Sequence, residues 1–210
     1  MIKKIQYPDS YVVWDLETSG FDGTKDKVLE IGMFKVENNE VVDRKRWVLN
    51  HGIEIPEKIT EINGMTKEIC DTEGQEPKKC LEEFIEEIRY SNANITHNGV
   101  KFDIIFLTDQ VKEILQWDEE RVNNLRKKLE HTSIDTAMLF KAHITNNPRI
   151  WNESAINFYK RVGEQIARGK YNLGVCCDEL NIDRSKITQH RALGDVELTN
   201  LVFKAMLEKE

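Results

Sequence analysis

Tyr11-Val12-Val13-Trp14 is an apolar, β-rich run that leads directly into two carboxylates, Asp15 and Glu17, and few folds accommodate that join. On a strand, residues two apart point to the same face, so the two acids lie side by side. Like charges in that position repel unless something cationic sits between them. A lone Asp-x-Glu is common on surface strands. Here it closes a strand apolar enough to be central in a sheet, so the pair needs a counter-ion.

The rest of the chain supplies a sheet and helices to surround that strand. Residues 28–36 and 41–49 read as two more strands, with Asn38-Asn39 as a hairpin turn between them. Leu81, Phe84, Ile85 and Ile88 recur at helical spacing within a helix over residues 77–90. A short strand over 93–96, a turn at His97-Asn98-Gly99 and a helix over 102–115 follow. Thr132 to Ile134 reads as another strand and 191–207 as the last helix. Three meandering strands followed by alternating helix and strand predict an α/β fold with a mixed central sheet flanked by helices. The order of the strands is left open by this pattern.

With 210 residues, one compact domain over 1–210 is expected. No window approaches 18 uninterrupted apolar residues, which excludes a spanning helix. The start carries Lys3 and Lys4 but no apolar h-region, so no signal peptide is expected. Cys70, Cys80, Cys176 and Cys177 have no zinc-site spacing and read as buried core thiols, which places the protein in a reducing, cytoplasmic compartment. The net charge is −7, yet residues 141–191 carry nine Lys/Arg against five Asp/Glu. That local excess permits a polyanionic partner if metals offset the acidic remainder.

Three further residues extend the acidic pair. Asp103 follows the His97-Asn98-Gly99 turn, where an acid at a helix start is also explained by the helix dipole. His190 and Asp195 stand five residues apart around the start of the last helix, so both can reach one point beside it. Each is unremarkable alone. Together, four carboxylates and one imidazole match hard divalent cations plus a base that titrates near neutral pH. Two such ions can stabilise the attacking and leaving oxygens of a phosphoryl displacement.

The segments Trp14-Asp15-Leu16-Glu17-Thr18-Ser19-Gly20, Thr96-His97-Asn98-Gly99-Val100-Lys101-Phe102-Asp103 and His190-Arg191-Ala192-Leu193-Gly194-Asp195 resemble the three motifs of the DEDDh (DnaQ-like) 3′–5′ exonucleases. Glu61-Ile62-Asn63-Gly64-Met65-Thr66 is similar to that family's nucleotide-contacting turn, and Ser133-Ile134-Asp135-Thr136 and Asn172-Leu173 follow its pattern. The histidine five positions before the last aspartate marks this branch; the sister branch has a tyrosine where this chain has Arg191.

The resemblance implies a ribonuclease H-like fold and a metal-dependent 3′–5′ exonuclease that releases nucleoside 5′-monophosphates from a nucleic-acid 3′ end. Asp15, Glu17, Asp103 and Asp195 would ligate two Mg²⁺ or Mn²⁺ ions, with Asp15 bridging, and His190 would be the general base. Thr18, Asn63, Met65 and Phe102 would contact the terminal nucleotide, although Met65 and Phe102 suit a core equally well. Asp135 caps the next helix in that pattern and is not a ligand. DNA is the expected substrate; trimming of RNA ends or short oligoribonucleotides is the first alternative. A polymerase-associated or nucleic-acid-binding module is the second, disfavoured because all five catalytic residues are present. A polymerase partner is one expectation, but the chain stops soon after its last helix, without the tail by which proofreading relatives join a polymerase.

The family pattern explains least of an inserted helical segment at about 143–171. Trp151, Ala155, Phe158, Tyr159, Val162 and Ile166 recur at helical spacing, with Lys160, Arg161 and Arg168 on the other side. The plain reading is an added helix packed on the domain. A second puts the basic face over the substrate groove, and a third makes Trp151 and Tyr159 a homodimer contact.

Overall fold

The computed structural model describes residues 7–147, 153, 155–163 and 171–209. An antiparallel meander opens it: β1 (Tyr11–Thr18), β2 (Val28–Glu37) and β3 (Glu40–Val48). Asn38 and Asn39 join β2 to β3 with φ of 52° and 64°. A two-residue hairpin needs this left-handed pair to match the twist of its strands, and asparagine adopts it readily. Next come α1 (Glu57–Asn63), α2 (Lys67–Glu73) and α3 (Pro77–Arg89). Then β4 (Asn94–Thr96), α4 (Asp103–Ile114), α5 (Glu119–Thr132), β5 (Ser133–Asp135) and α6 (Thr136–Ile144) alternate. Helices α7 (Ala155–Gly163), α8 (Leu173–Glu179) and α9 (Ala192–Lys209) complete the chain.

The strand order is β3-β2-β1-β4-β5. β1 is antiparallel to β2 and parallel to β4, and β4 is parallel to β5, so β1 stands where the two halves of a mixed sheet meet. The predicted class is therefore present, with β1 in the centre as its apolar run requires. Alternation along β1 divides its side chains between two cores. Val12, Trp14 and Leu16 face α3, α4 and α5, where Trp14 meets Phe84 edge-on at 5.5 Å between ring centroids. Tyr11 and Val13 face the opposite side with residues of α6, α8 and α9. Asp15 and Glu17 continue this second face at the strand's end.

Gly32 makes the site compact. It lies opposite Asp15 in the β1–β2 register, and a Cβ there would stand 2.5 Å from the carbonyl carbon of Ala192. Absence of that atom lets the start of α9 sit directly on the sheet beside Asp15.

Five helices, α1, α2, α5, α6 and α8, have no counterpart among the elements read from the sequence. α1 and α2 have seven residues each, too short for a periodic stripe. α6 is apolar on nearly all sides, buried from Thr136 to Ala142, so it shows no amphipathic pattern. All four cysteines are free and buried, as expected. No helix among the described residues is long and apolar enough to cross a membrane.

In α7, Phe158 and Val162 are buried in the core shared with α6, α8 and α9. Arg161 donates to both carboxylate oxygens of Glu153, at 2.7 and 2.8 Å, and also to Asn147. That ties one of the three cations assigned to the groove reading to this segment itself. Trp151, Ile166 and Arg168 lie outside the described residues, as do the side chains of Ala155 and Tyr159.

Candidate active site

Three carboxylates meet where β1 ends against α9. Asp15 and Glu17 come from one face of β1, and Asp195 comes from the first turn of α9. One oxygen of each lies within 4.8 Å of the others. Asp103, the first residue of α4, is buried on the neighbouring side of β1 and hydrogen-bonds the backbone of Leu16. It is near enough to Asp15 for its charge to act there.

The four carboxyls all resist ionisation. Burial first, then the fields of Asp103, Glu17, Asp195 and Glu30, push Asp15 well above the ordinary aspartate value. Burial and the neighbouring acids push Glu17 up to about 8. Burial pushes Asp103 up to about 7, and it also raises Asp195 against the opposing pull of a hydrogen bond from His190. Among the described residues, no lysine or arginine forms an ion pair with any of the four. Clustered oxygen donors without a protein cation form a candidate divalent-metal site.

His190 stands at the rim, with φ of 62°, a conformation side chains other than glycine rarely adopt. Its backbone N–H donates to Asp195 Oδ1 at 3.2 Å, and its Nδ1 lies 4.0 Å from Asp195 Oδ2. The imidazole is 58% exposed, beside the acids and open to water. The turn before α9 is tight, since a Cβ at Gly194 would stand 1.9 Å from the Thr188 carbonyl oxygen.

The other predicted residues divide. Asn63 is buried; it donates to the Thr18 carbonyl at 3.2 Å, accepts from the Met65 N–H at 3.0 Å, and its bond to Glu17 favours that group's charged form. Thr18 donates its hydroxyl to the Gly20 carbonyl at 2.6 Å and lies one residue from Glu17. Phe102 is half-buried beside Asp103, its ring 6.4 Å from that of the exposed Phe21. Met65 takes the core alternative: it is fully buried with Leu29, Val48 and Cys70. Asp135 caps α6 by accepting from Ala137 and Met138, and it also accepts from Asn98 in the turn that leads to Asp103.

Sequence reasoning passed over Glu30. It is fully buried on β2, directly across from Glu17. Its carboxylate accepts from Arg191 at 2.9 and 3.2 Å, from the Ala192 N–H at 2.9 Å, and from Arg46. The available signal was a single charge inside the apolar run Val28-Leu29-Glu30-Ile31. Among the described cations of residues 141–191, Arg184 pairs with Asp178, Arg191 pairs with Glu30, and Lys141 lies buried over the Tyr171 ring.

A mixed five-stranded sheet of this order, with acids converging at the end of its central strand, is a ribonuclease H-like arrangement. The exonuclease family RNase_T matches residues 12–203, and the chain belongs to it. Among curated relatives, a PolC-type DNA polymerase III of Ureaplasma parvum serovar 3 is 27% identical over 94% of this chain, and one of Thermotoga petrophila is 26% identical over 99%. The chain spans 11% and 13% of their respective lengths. Among solved structures, an exonuclease I–ssDNA complex of E. coli aligns with a TM-score of 0.74 at 13% identity, covering 97% of this chain and 41% of that one. The family match identifies the chain as an exonuclease-family domain, in keeping with the DnaQ-like resemblance of its motifs.

Proposed function

We propose that this domain removes nucleotides from the 3′ end of DNA, releasing nucleoside 5′-monophosphates in a reaction that needs two Mg²⁺ or Mn²⁺ ions. One observation supports the metal requirement: Asp15, Glu17 and Asp195 converge at the end of β1 with Asp103 close by, and among the described residues no lysine or arginine pairs with them. Asp15, Glu17, Asp103 and Asp195 would hold the ions. Bound there, the ions offset charge on the attacking and leaving oxygens of the phosphodiester.

The remaining work falls to the chain's own groups. His190, exposed at the rim beside Asp195, accepts a proton from the attacking water, a role its water-facing imidazole can fill. Asn63 ties the 61–66 turn to the end of β1, and Thr18 and Phe102 flank the acids where a terminal nucleotide would lie. The PolC-type DNA polymerase III relatives support DNA as substrate and a polymerase as a partner. The similarity to exonuclease I in complex with ssDNA supports a single-stranded or frayed end. Four buried free thiols suit a cytoplasmic setting.

The test uses end-labelled single-stranded DNA, duplex DNA and RNA of one sequence, with Mg²⁺ and with Mn²⁺. Stepwise shortening from the 3′ end of DNA, with mononucleotide products, is expected. Faster degradation of RNA would move the substrate to RNA, and shortening from the 5′ end would overturn the assignment.

A further inference from the structure

The Glu30 carboxylate joins three parts of the molecule. Arg191 reaches it from the residue after His190, Ala192 donates to it from the start of α9, and Arg46 meets it from β3. Arg46 is anchored in turn by Glu73. The aliphatic stem of Arg191 passes 3.8 Å from where a Cβ at Gly64 would be, so it also covers the turn that carries Asn63. Burial alone would push Glu30 up, but the bonds from Arg191, Ala192 and Arg46 outweigh it and hold this carboxyl below the usual range.

His190 has little hold of its own. Its ring is mostly exposed, its backbone has a left-handed φ, and its N–H donates to Asp195. The conformation must therefore be imposed by its neighbours, and the adjacent anchor is the two-pronged Arg191–Glu30 pair.

We infer that Arg191 is a positioning residue: by pairing with Glu30 it holds the backbone that presents the His190 ring beside Asp15, Glu17 and Asp195. The inference rests on the reading of His190 as the general base. Arg191 touches neither water nor substrate in this role. It acts through His190, and small misplacements of a base are costly.

A double-mutant cycle tests this on a single-stranded DNA oligonucleotide at saturating Mg²⁺, with Mn²⁺ affinity and Tm measured alongside. Arg191→Met should lower kcat by about 10- to 100-fold with KM within about threefold, and it should leave Mn²⁺ affinity within about threefold. In a His190→Ala background, the same substitution should change kcat less than about twofold, because the group it serves is gone. Arg191→Lys, which keeps the charge but not the fork, should fall between wild type and Met, and it decides the matter if Arg191→Met does not fold.

Losses that multiply in the His190→Ala background would overturn the inference. So would an unchanged kcat, or a rise in KM alone, which would make Arg191 a phosphate contact. His190→Ala by itself reads the underlying assignment: a wild-type rate in that variant would remove the general-base role whatever Arg191 does.

Discussion

Glu17 and Glu30 face each other across β1 and β2, and the protein treats them in opposite ways. Like charges directly opposite on a sheet are unfavourable. Glu30 is enclosed by two arginines and a backbone N–H, and its carboxyl stays ionised. Glu17, a strand spacing away, has no lysine or arginine partner among the described residues and is pushed up to about 8, and Asp15, Asp103 and Asp195 are raised with it. One side of this sheet end is a finished ion network with its partners built in. The other carries unpaired negative charge, and that lack is what a divalent cation can satisfy. The comparison teaches that an acid is fitted for metal by what the fold withholds from it.

The largest effect should come from the unfinished side. Asp15→Asn or Asp195→Asn should abolish turnover, by more than about 10³-fold, while preserving the fold and raising Tm in EDTA because one repelling carboxylate is gone. Near-wild-type rates at saturating Mg²⁺ in either variant would sink the metal-ligand assignment. His190→Ala should cost about 10²–10⁴-fold in kcat and erase the acidic limb of the pH–rate profile. An acidic limb that persists in the variant would mean that it reports metal binding or bound water.

Stability should show the same contrast. Folding raises the proton affinity of the four acids, so the native state binds more protons than the unfolded chain between the ordinary carboxylate range and about pH 8. Metal-free stability must therefore fall as pH rises through that window. His97 opposes this at lower pH: burial pushes it down to about 4, so its contribution grows up to its unfolded value. The step from pH 6.5 to pH 8.5 lies above the range of His97, and Tm in EDTA should drop over it. The four buried thiols, also pushed up by burial, should add to the drop near its upper end. Mg²⁺ at about 100 times its Kd should add about 2.7 kcal/mol, or roughly 5–10 °C, at pH 8.5. A Tm that rises with pH in EDTA would contradict the four-acid account.

The smallest effect should come from the finished side, and it should not respond to metal. Glu30→Gln leaves Arg191 without its anion and Arg46 with Glu73 alone, and because both guanidiniums are partly exposed the cost should be about 2 kcal/mol, or roughly 4–8 °C in Tm. Calorimetric melts with and without Mg²⁺ should show the same decrement. A variant as stable as wild type would mean that the network contributes nothing net.

Much of this arrangement is legible in the chain. The run from Tyr11 to Glu17, the Asn38-Asn39 hairpin and the helices over Pro77–Arg89 and Asp103–Ile114 follow from alternation, turn chemistry and periodicity. Asp15 and Glu17 share a face because they are two apart on a strand. The motifs led to Asp103, His190 and Asp195, and the fold carries Asp195 to the strand-end pair. Met65 was legible only as an apolar residue in a turn; full burial against Leu29, Val48 and Cys70 is decided by how that turn folds back onto β2 and β3.

Local chemistry, period two on strands and period 3.6 on helices, thus determined the elements and the residue types able to bind metal. Only the tertiary structure decided which charges would be neutralised. Glu30 and Glu17 are the same residue type on neighbouring strands, and nothing local distinguishes them as metal ligands. Arg191 lies 161 positions beyond Glu30, and it arrives there because Gly32 and Gly194 leave room for the start of α9 to pack on the sheet. Charge pairing depends on distance in space, and in this chain that distance is set by packing long after local conformation has been chosen.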